Sequence, residues 1–195
     1  MLLSGRDVLV IFVSYTLGCL CGGYYLVRLF AGEDVRRLGS TNVGARNVGR
    51  ILGPIGFVIT FLIDLTKGAL AVLVAKYFNL ELKVVMLAMV AVVAGHIWPF
   101  QLRFKGGKGV ATVLGAGLIF DWGLTTIIVV LFLPLFAFTR QFTLSGLIAI
   151  AMTPGVAALT GCSGTVIAGI TALSLLILFA HRKNIRDIVM ATTAK

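Results

Sequence analysis

Charge is scarce in this sequence. Asp, Glu, Lys and Arg together make up 12% of 195 residues, against roughly a quarter in soluble domains, which excludes an ordinary water-soluble fold. Acidic residues are scarcer still, seven against 17 lysines and arginines, and no Asp/Glu/His cluster suggests a metal or any other cofactor. Three cysteines, Cys19, Cys21 and Cys162, are too few for a disulfide framework. Cys19 and Cys21 stand two apart in one apolar run, on different sides of a helix, and read as small packing residues.

What is present instead is apolar sequence, 59% of the chain, with a mean hydropathy of +1.05. The expected fold class is therefore all-α: a polytopic membrane protein whose residues 1–195 form one helical bundle with no appended soluble domain. Leu17-Gly18-Cys19 faintly resembles a lipoprotein cleavage site, but six further apolar runs favour a retained first span. The net charge of +10 does not indicate nucleic acid, because the basic residues sit between the apolar runs rather than on one polar face. Anionic lipid headgroups and anionic substrates are the expected partners, and no obligate protein partner is evident.

The apolar runs are 8–30, 51–78, Leu82–Phe100, Val110–Phe120, Leu124–Thr139, Leu144–Leu159 and Val166–Ala180, which predicts seven transmembrane helices. At 1.5 Å per residue the fourth reaches only about 17 Å, so it and the fifth could form a re-entrant hairpin, leaving five. Parity is unchanged. Alternation then puts 31–50, 101–109, Arg140 and the tail on one side, together with most Lys and Arg, and the positive-inside rule makes that side cytoplasmic. The N-terminus is expected outside, the C-terminus inside, and the membrane is expected to be the cell's inner (plasma) membrane.

Three polar segments meet on that face. The loop 31–50 crowds Ser40, Asn42, Asn47 and Arg50 among glycines, the parts of a phosphate or polyol site. Phe104-Lys105-Gly106-Gly107-Lys108-Gly109-Val110-Ala111-Thr112 is a doubly basic glycine turn; amides there and in the first turn of the following helix could face an anion. The same turn could also be a plain basic flank of a span. The tail brings His181, Arg182, Lys183 and Asn184. Within the membrane, Asp64 and Lys67 stand at i, i+3, as a structural ion pair or a functional one, and His96 near the end of its run is either a satisfied buried histidine or part of the site.

Gly39-Ser40-Thr41-Asn42-Val43-Gly44-Ala45-Arg46-Asn47-Val48-Gly49-Arg50, Gly95-His96 through Pro99 to the Phe104–Thr112 turn, and His181-Arg182-Lys183-Asn184-Ile185 resemble three motifs of a known family. It is the acyl-phosphate-dependent bacterial glycerol-3-phosphate acyltransferases, the PlsY family; Asp64-Leu65-Thr66-Lys67-Gly68 resembles a further pattern of it. The resemblance runs the length of the chain in order. It implies a seven-span fold, a cytoplasmic active site, and acyl transfer from acyl phosphate to the 1-hydroxyl of glycerol 3-phosphate, giving lysophosphatidic acid and phosphate. On that reading Lys108, His181, Ser40, Asn42 and Arg50 are the catalytic set. Asn47, Lys105, Gly106, Gly107, Gly109, Thr112, Thr143, Ser145, Asn184 and His96 are the substrate-binding set. The proton acceptor is His181 or a substrate phosphate.

Some positions depart from the family pattern: Thr41 and Arg46 stand where Gly and Thr are usual, Thr143 and Gly146 where two serines follow Arg140, and the tail after Asn184 differs. Ser145 could supply the missing hydroxyl. The alternative class is a small anion or phosphate-ester transporter, which calls for polar residues through the whole bilayer and often for a repeated half; neither is found.

Overall fold

A computed structural model describes residues 2–193; Met1, Ala194 and Lys195, the last expected in the polar tail, lie outside the described residues. Among the described residues all regular structure is helical: α1 (Gly5–Cys19), α2 (Gly22–Ala31), α3 (Ala45–Tyr77), α4 (Leu82–Ile97), α5 (Val110–Phe120), α6 (Trp122–Thr139), α7 (Phe142–Leu159), α8 (Gly164–Ala180) and α9 (Arg182–Thr193). Single 3-10 turns stand at Val35–Arg37 and Phe100–Leu102.

The first apolar run is two helices. Ser4 and Asp7 start α1 with a reciprocal capping box, the Asp7 amide donating to Ser4 Oγ and the Ser4 amide to Asp7 Oδ2. At Leu20–Cys21 the backbone leaves helical angles, which frees carbonyls in an apolar setting. Both are taken up by side chains from elsewhere: Gln101 Nε2 donates to Cys19 O at 2.5 Å and Lys67 Nζ to Leu20 O at 2.8 Å. A second break lies in α3, where Gly53 at φ 73 precedes Pro54. It separates a polar segment, 45–52, from the long apolar remainder.

Five helical stretches are long and apolar enough to cross a membrane: Gly5–Ala31, Ala45–Tyr77, Leu82–Leu102, Trp122–Thr139 and Phe142–Leu159. A sixth results if α8 and α9, bent by 63° at His181, count as one. The fourth of the seven expected spans, α5, has 11 residues, so it extends only about 17 Å in a core of about 30 Å. Its neighbour α6 is a full 18 residues, so the expected short pair is one short helix and one long one.

Close backbone approach holds the bundle, as it must where lipid is as apolar as the helices. A Cβ on Gly18 would lie 2.1 Å from Val92 O and one on Gly95 2.1 Å from Tyr15 O, so α1 and α4 cross nearly in contact. α3 and α5 do the same through Gly68 against Thr112 O and Gly115 against Leu65 O. Central to the packing is α4, whose Met89, Val92 and Val93 are buried with Ala71 of α3 and Ile177 of α8. The outermost helix is α6, with Leu124 alone buried among its described residues. It pairs with α7, which packs on α8, and between α5, α6, α7 and α8 a groove stays open.

Candidate active site

The loop before α3 is built around a buried Asn47. Its Nδ2 donates to Leu38 O at 3.0 Å and Asn42 O at 2.9 Å, while its Oδ1 accepts the Ser40 amide at 2.8 Å. Asn47 thus ties the loop to itself and leaves Ser40 exposed and Asn42 half-buried. Arg36 fastens the same loop to the 3-10 turn that follows α4, pairing with Asp34 at 2.6 Å and donating to Leu102 O at 2.8 Å. Its hydrogen bonds hold the Asp34 carboxyl down at about 2.

The glycine-lysine turn is pressed onto the end of α4. The Gly107 amide donates to His96 O at 2.9 Å and the Gly106 amide to Ile97 O at 3.1 Å. Two amides expected to face an anion are therefore used on carbonyls that the end of α4 leaves open. The amides that remain for an anion belong to the start of α5, where Gly109 at φ 82 forms an N-cap without a side-chain cap. Thr112 is fully buried against α3, away from any open surface. Lys105 is exposed.

Lys108 is half-buried and donates to Asn184 Oδ1, which joins the second polar segment to the tail. Burial lowers the Lys108 pKa, and the positive charge of Arg46 lowers it further. His181, at the 63° bend between α8 and α9, is buried, and its Nδ1 lies 2.8 Å from Ile177 O. A carbonyl can only accept, so Nδ1 carries the hydrogen and the neutral ring keeps its lone pair on Nε2. Burial lowers the His181 pKa, and Lys108 adds to the shift against the opposing hydrogen bond to Ile177.

Asn184 lines a cavity of about 810 Å³ together with Arg46, Arg140, Gln141, Thr143 and Asp187. Arg46 Nη1 donates to Thr143 Oγ1 at 2.9 Å, closing the cavity between the polar segment of α3 and the start of α7. The apolar groove, about 250 Å³, runs alongside between α5–α8, from Val110 and Phe142 to Phe120 and Leu124. Phe142 is the one described residue lining both spaces. A tail and a charged head can be held there by one molecule's length.

The sequence model of a family described as glycerol-3-phosphate acyltransferase matches residues 8–191. The chain belongs to the glycerol-3-phosphate acyltransferase family. It is 47% identical over 183 residues to glycerol-3-phosphate acyltransferase 1 of Desulfitobacterium hafniense (strain Y51), covering 94% of this chain and 91% of the relative. To the glycerol-3-phosphate acyltransferase of Synechococcus sp. (strain CC9902) it is 40% identical, covering 98% of this chain and 95% of that one. Two crystal structures of PlsY (YgiH), an integral membrane glycerol 3-phosphate acyltransferase, have similar folds. The glycerol 3-phosphate form has a TM-score of 0.89 at 31% identity, covering 96% of this chain and 94% of that one. The lysophosphatidic acid form has a TM-score of 0.86 at 30% identity, covering 96% and 93%. This chain is accordingly a multi-pass membrane acyltransferase of phospholipid biosynthesis.

Besides Ser40, Asn42, Lys105 and the three glycines of the turn, described above, the expected site residues of this acyltransferase fall into three groups. Lys108, Asn184 and Thr143 meet at or beside the cavity, with His181 buried near Lys108. Arg50 is exposed one turn beyond Arg46 on the same helix face and lines neither space. Asn47, Thr112, Ser145 and His96 are buried inward: Ser145 Oγ donates to Gln141 O at 2.9 Å and touches Thr139 Oγ1 at 2.6 Å. His96 Nδ1 lies 2.8 Å from Lys67 Nζ, beneath the glycine turn. Arg46, Arg140 and Asp187 of the cavity were not expected there. Arg46 stood out only as a departure from the family pattern, and Arg140-Gln141, polar between two apolar runs, was the available signal.

Proposed function

We propose that this acyltransferase moves a fatty acyl group from acyl phosphate to the 1-hydroxyl of glycerol 3-phosphate, on the cytoplasmic side of the inner membrane. The observation that carries the reading is the junction at Phe142, where a basic cavity meets an apolar groove between α5, α6, α7 and α8. The relatives' name and the PlsY forms with glycerol 3-phosphate and lysophosphatidic acid support the acceptor and the product. In the topology proposed, the chain passes the membrane seven times with its N-terminus outside, and the short α5 serves as the wall of the groove. The basic segments 31–50, 101–109, Arg140 and the tail then share the cytoplasmic face.

Acyl phosphate is already activated, so the protein's task is placement and charge. The acceptor hydroxyl oxygen attacks the carbonyl carbon, the bond from that carbon to the phosphate oxygen breaks, and phosphate leaves with the electron pair. The hydroxyl proton passes to Nε2 of His181 or to a phosphate oxygen. Lys108 and Asn184 hold the glycerol phosphate, and the start of α5 lends its dipole to the oxyanion. Ser40 and Asn42, on the loop before α3, serve the acyl-phosphate donor. A transporter would need polar lining along the groove, whose walls are almost wholly apolar.

The test offers purified protein palmitoyl phosphate and labelled glycerol 3-phosphate, with acyl-CoA and acyl carrier protein thioesters as rival donors. Labelled lysophosphatidic acid is expected from palmitoyl phosphate alone. Product from a thioester but not from the phosphate would overturn the donor assignment.

A further inference from the structure

Two phosphates must sit side by side in the reaction proposed, and Lys108 with Asn184 provides for one of them. The cavity that Asn184 lines also holds the guanidinium of Arg46, a second cationic group. Arg46 Nη1 donates to Thr143 Oγ1 at 2.9 Å, and the guanidinium carbon lies 5.1 Å from the centre of the Phe142 ring. Arg140 lines the same cavity. These contacts fix the plane of the guanidinium while using one of its five N–H groups, which leaves a pre-oriented fork for an anion. Phe142 is also where the apolar groove begins. A molecule whose tail fills the groove must turn its head out beneath Arg46.

We propose that Arg46, steadied by Thr143 and Phe142 and assisted by Arg140, is the phosphate clamp of the tailed substrate and sets the affinity for the acyl donor. Glycerol 3-phosphate, which has no tail to bring it to Phe142, belongs to Lys108 and Asn184. This inference rests on the acyl-phosphate reading above and adds to it the residue that separates donor from acceptor.

Arg46 is exposed and stands on the polar segment of α3, so Arg46→Thr and Arg46→Lys are expected to fold, which the melting temperature checks. In steady-state assays Arg46→Thr should raise KM for palmitoyl phosphate about ten- to a hundred-fold, the worth of a charge-assisted hydrogen bond. KM for glycerol 3-phosphate should move less than about two-fold, and Arg46→Lys should recover part of the loss. Dodecyl phosphate, which cannot transfer an acyl group, provides a readout without turnover: its Kd should rise in parallel in Arg46→Thr. A rise confined to glycerol 3-phosphate, or unchanged KM and Kd for both tailed molecules, would overturn the clamp. Wild-type protein that binds dodecyl phosphate through Arg46 but does not turn over palmitoyl phosphate would sink the acyl-phosphate reading and leave the clamp standing.

Discussion

Lys67 Nζ lies 2.8 Å from His96 Nδ1, and this contact links the buried charge of the bundle to the glycine turn of the site. An ammonium can only donate, so Nδ1 accepts and the neutral ring carries its hydrogen on Nε2, the atom that a Cβ on Gly107 would strike. The ammonium also donates to Leu20 O at 2.8 Å and forms an ion pair with Asp64, whose Oδ1 lies 2.8 Å away. Two hydrogen bonds and an ion pair thus tie together α3, α4 and the break between α1 and α2, with the three side chains at 3% exposure or less. The backbone oxygen of the same His96 receives the Gly107 amide. The Asp64–Lys67 pair is thus structural, and its structure is the floor of the Lys108 loop.

Removing one partner of that pair is predicted to hurt more than removing both. Lys67→Met leaves Asp64 charged, buried and unpaired, at a cost of about 3–5 kcal/mol. Asp64→Leu combined with Lys67→Met leaves no bare charge and should recover much of that loss. Thermal unfolding in detergent reads both, and equal destabilisation of the single and double variants would refute the account.

Gly107→Ala is predicted to disable the site without unfolding the protein. The added methyl would come within 2.0 Å of His96 Nε2, so the turn must lift off α4 and carry Lys108 away from Asn184. Displacements of about 1 Å at such a group cost on the order of a hundred-fold in rate. kcat/KM for glycerol 3-phosphate is the measurement, with the melting temperature as control. Near-normal turnover would show that the turn has room which the geometry denies.

Thr41 has φ 59, a left-handed angle that crowds a β-branched side chain. The family pattern has glycine in its place, and glycine takes this angle without strain. Relief of about 1–2 kcal/mol of backbone strain is partly offset by the greater freedom of glycine in the unfolded chain. Thr41→Gly should therefore raise stability by up to about 1 kcal/mol. A lowered melting temperature would place the strain elsewhere.

Much of this geometry was open to reading from residue order. Apolar runs bounded by basic loops place the helices, and two polar segments far apart in sequence do meet, Lys108 on Asn184. What residue order does not hold is side-chain direction. Asn47 and Ser145 carry groups that fit a phosphate site, yet the first is used on loop carbonyls and the second on its own helix start. Which way a hydroxyl turns depends on the tertiary neighbours that satisfy it. The break at Leu20–Cys21 was hidden for a similar reason: every residue around it is apolar or small, and the groups that make it tolerable, Lys67 and Gln101, lie on other helices. Arg46 drew notice as an oddity of pattern, and only its contact with α7 gives it a place.

The last prediction concerns pH. Burial and the charge of Lys108 hold the His181 pKa below its ordinary 6.5, so the imidazole stays neutral with its Nε2 lone pair available at pH 7. Because the folded pKa lies below the unfolded one, the stability contributed by neutral His181 is present above 6.5 and is lost as the pH falls toward the folded value. If His181 accepts the hydroxyl proton, kcat/KM falls over the same interval, with its acid limb below 6.5. A phosphate titrates nearby, with a second pKa of about 6, so the limb alone does not assign the acceptor. His181→Gln keeps a polar group but removes the titration. Loss of the limb in that variant assigns the proton to Nε2, whereas an unchanged limb with reduced kcat assigns it to a substrate phosphate and leaves His181 as an orienting residue. With only two histidines in the chain, their ring C–H resonances can be followed directly, and a His181 midpoint at or above 6.5 would contradict the environment described.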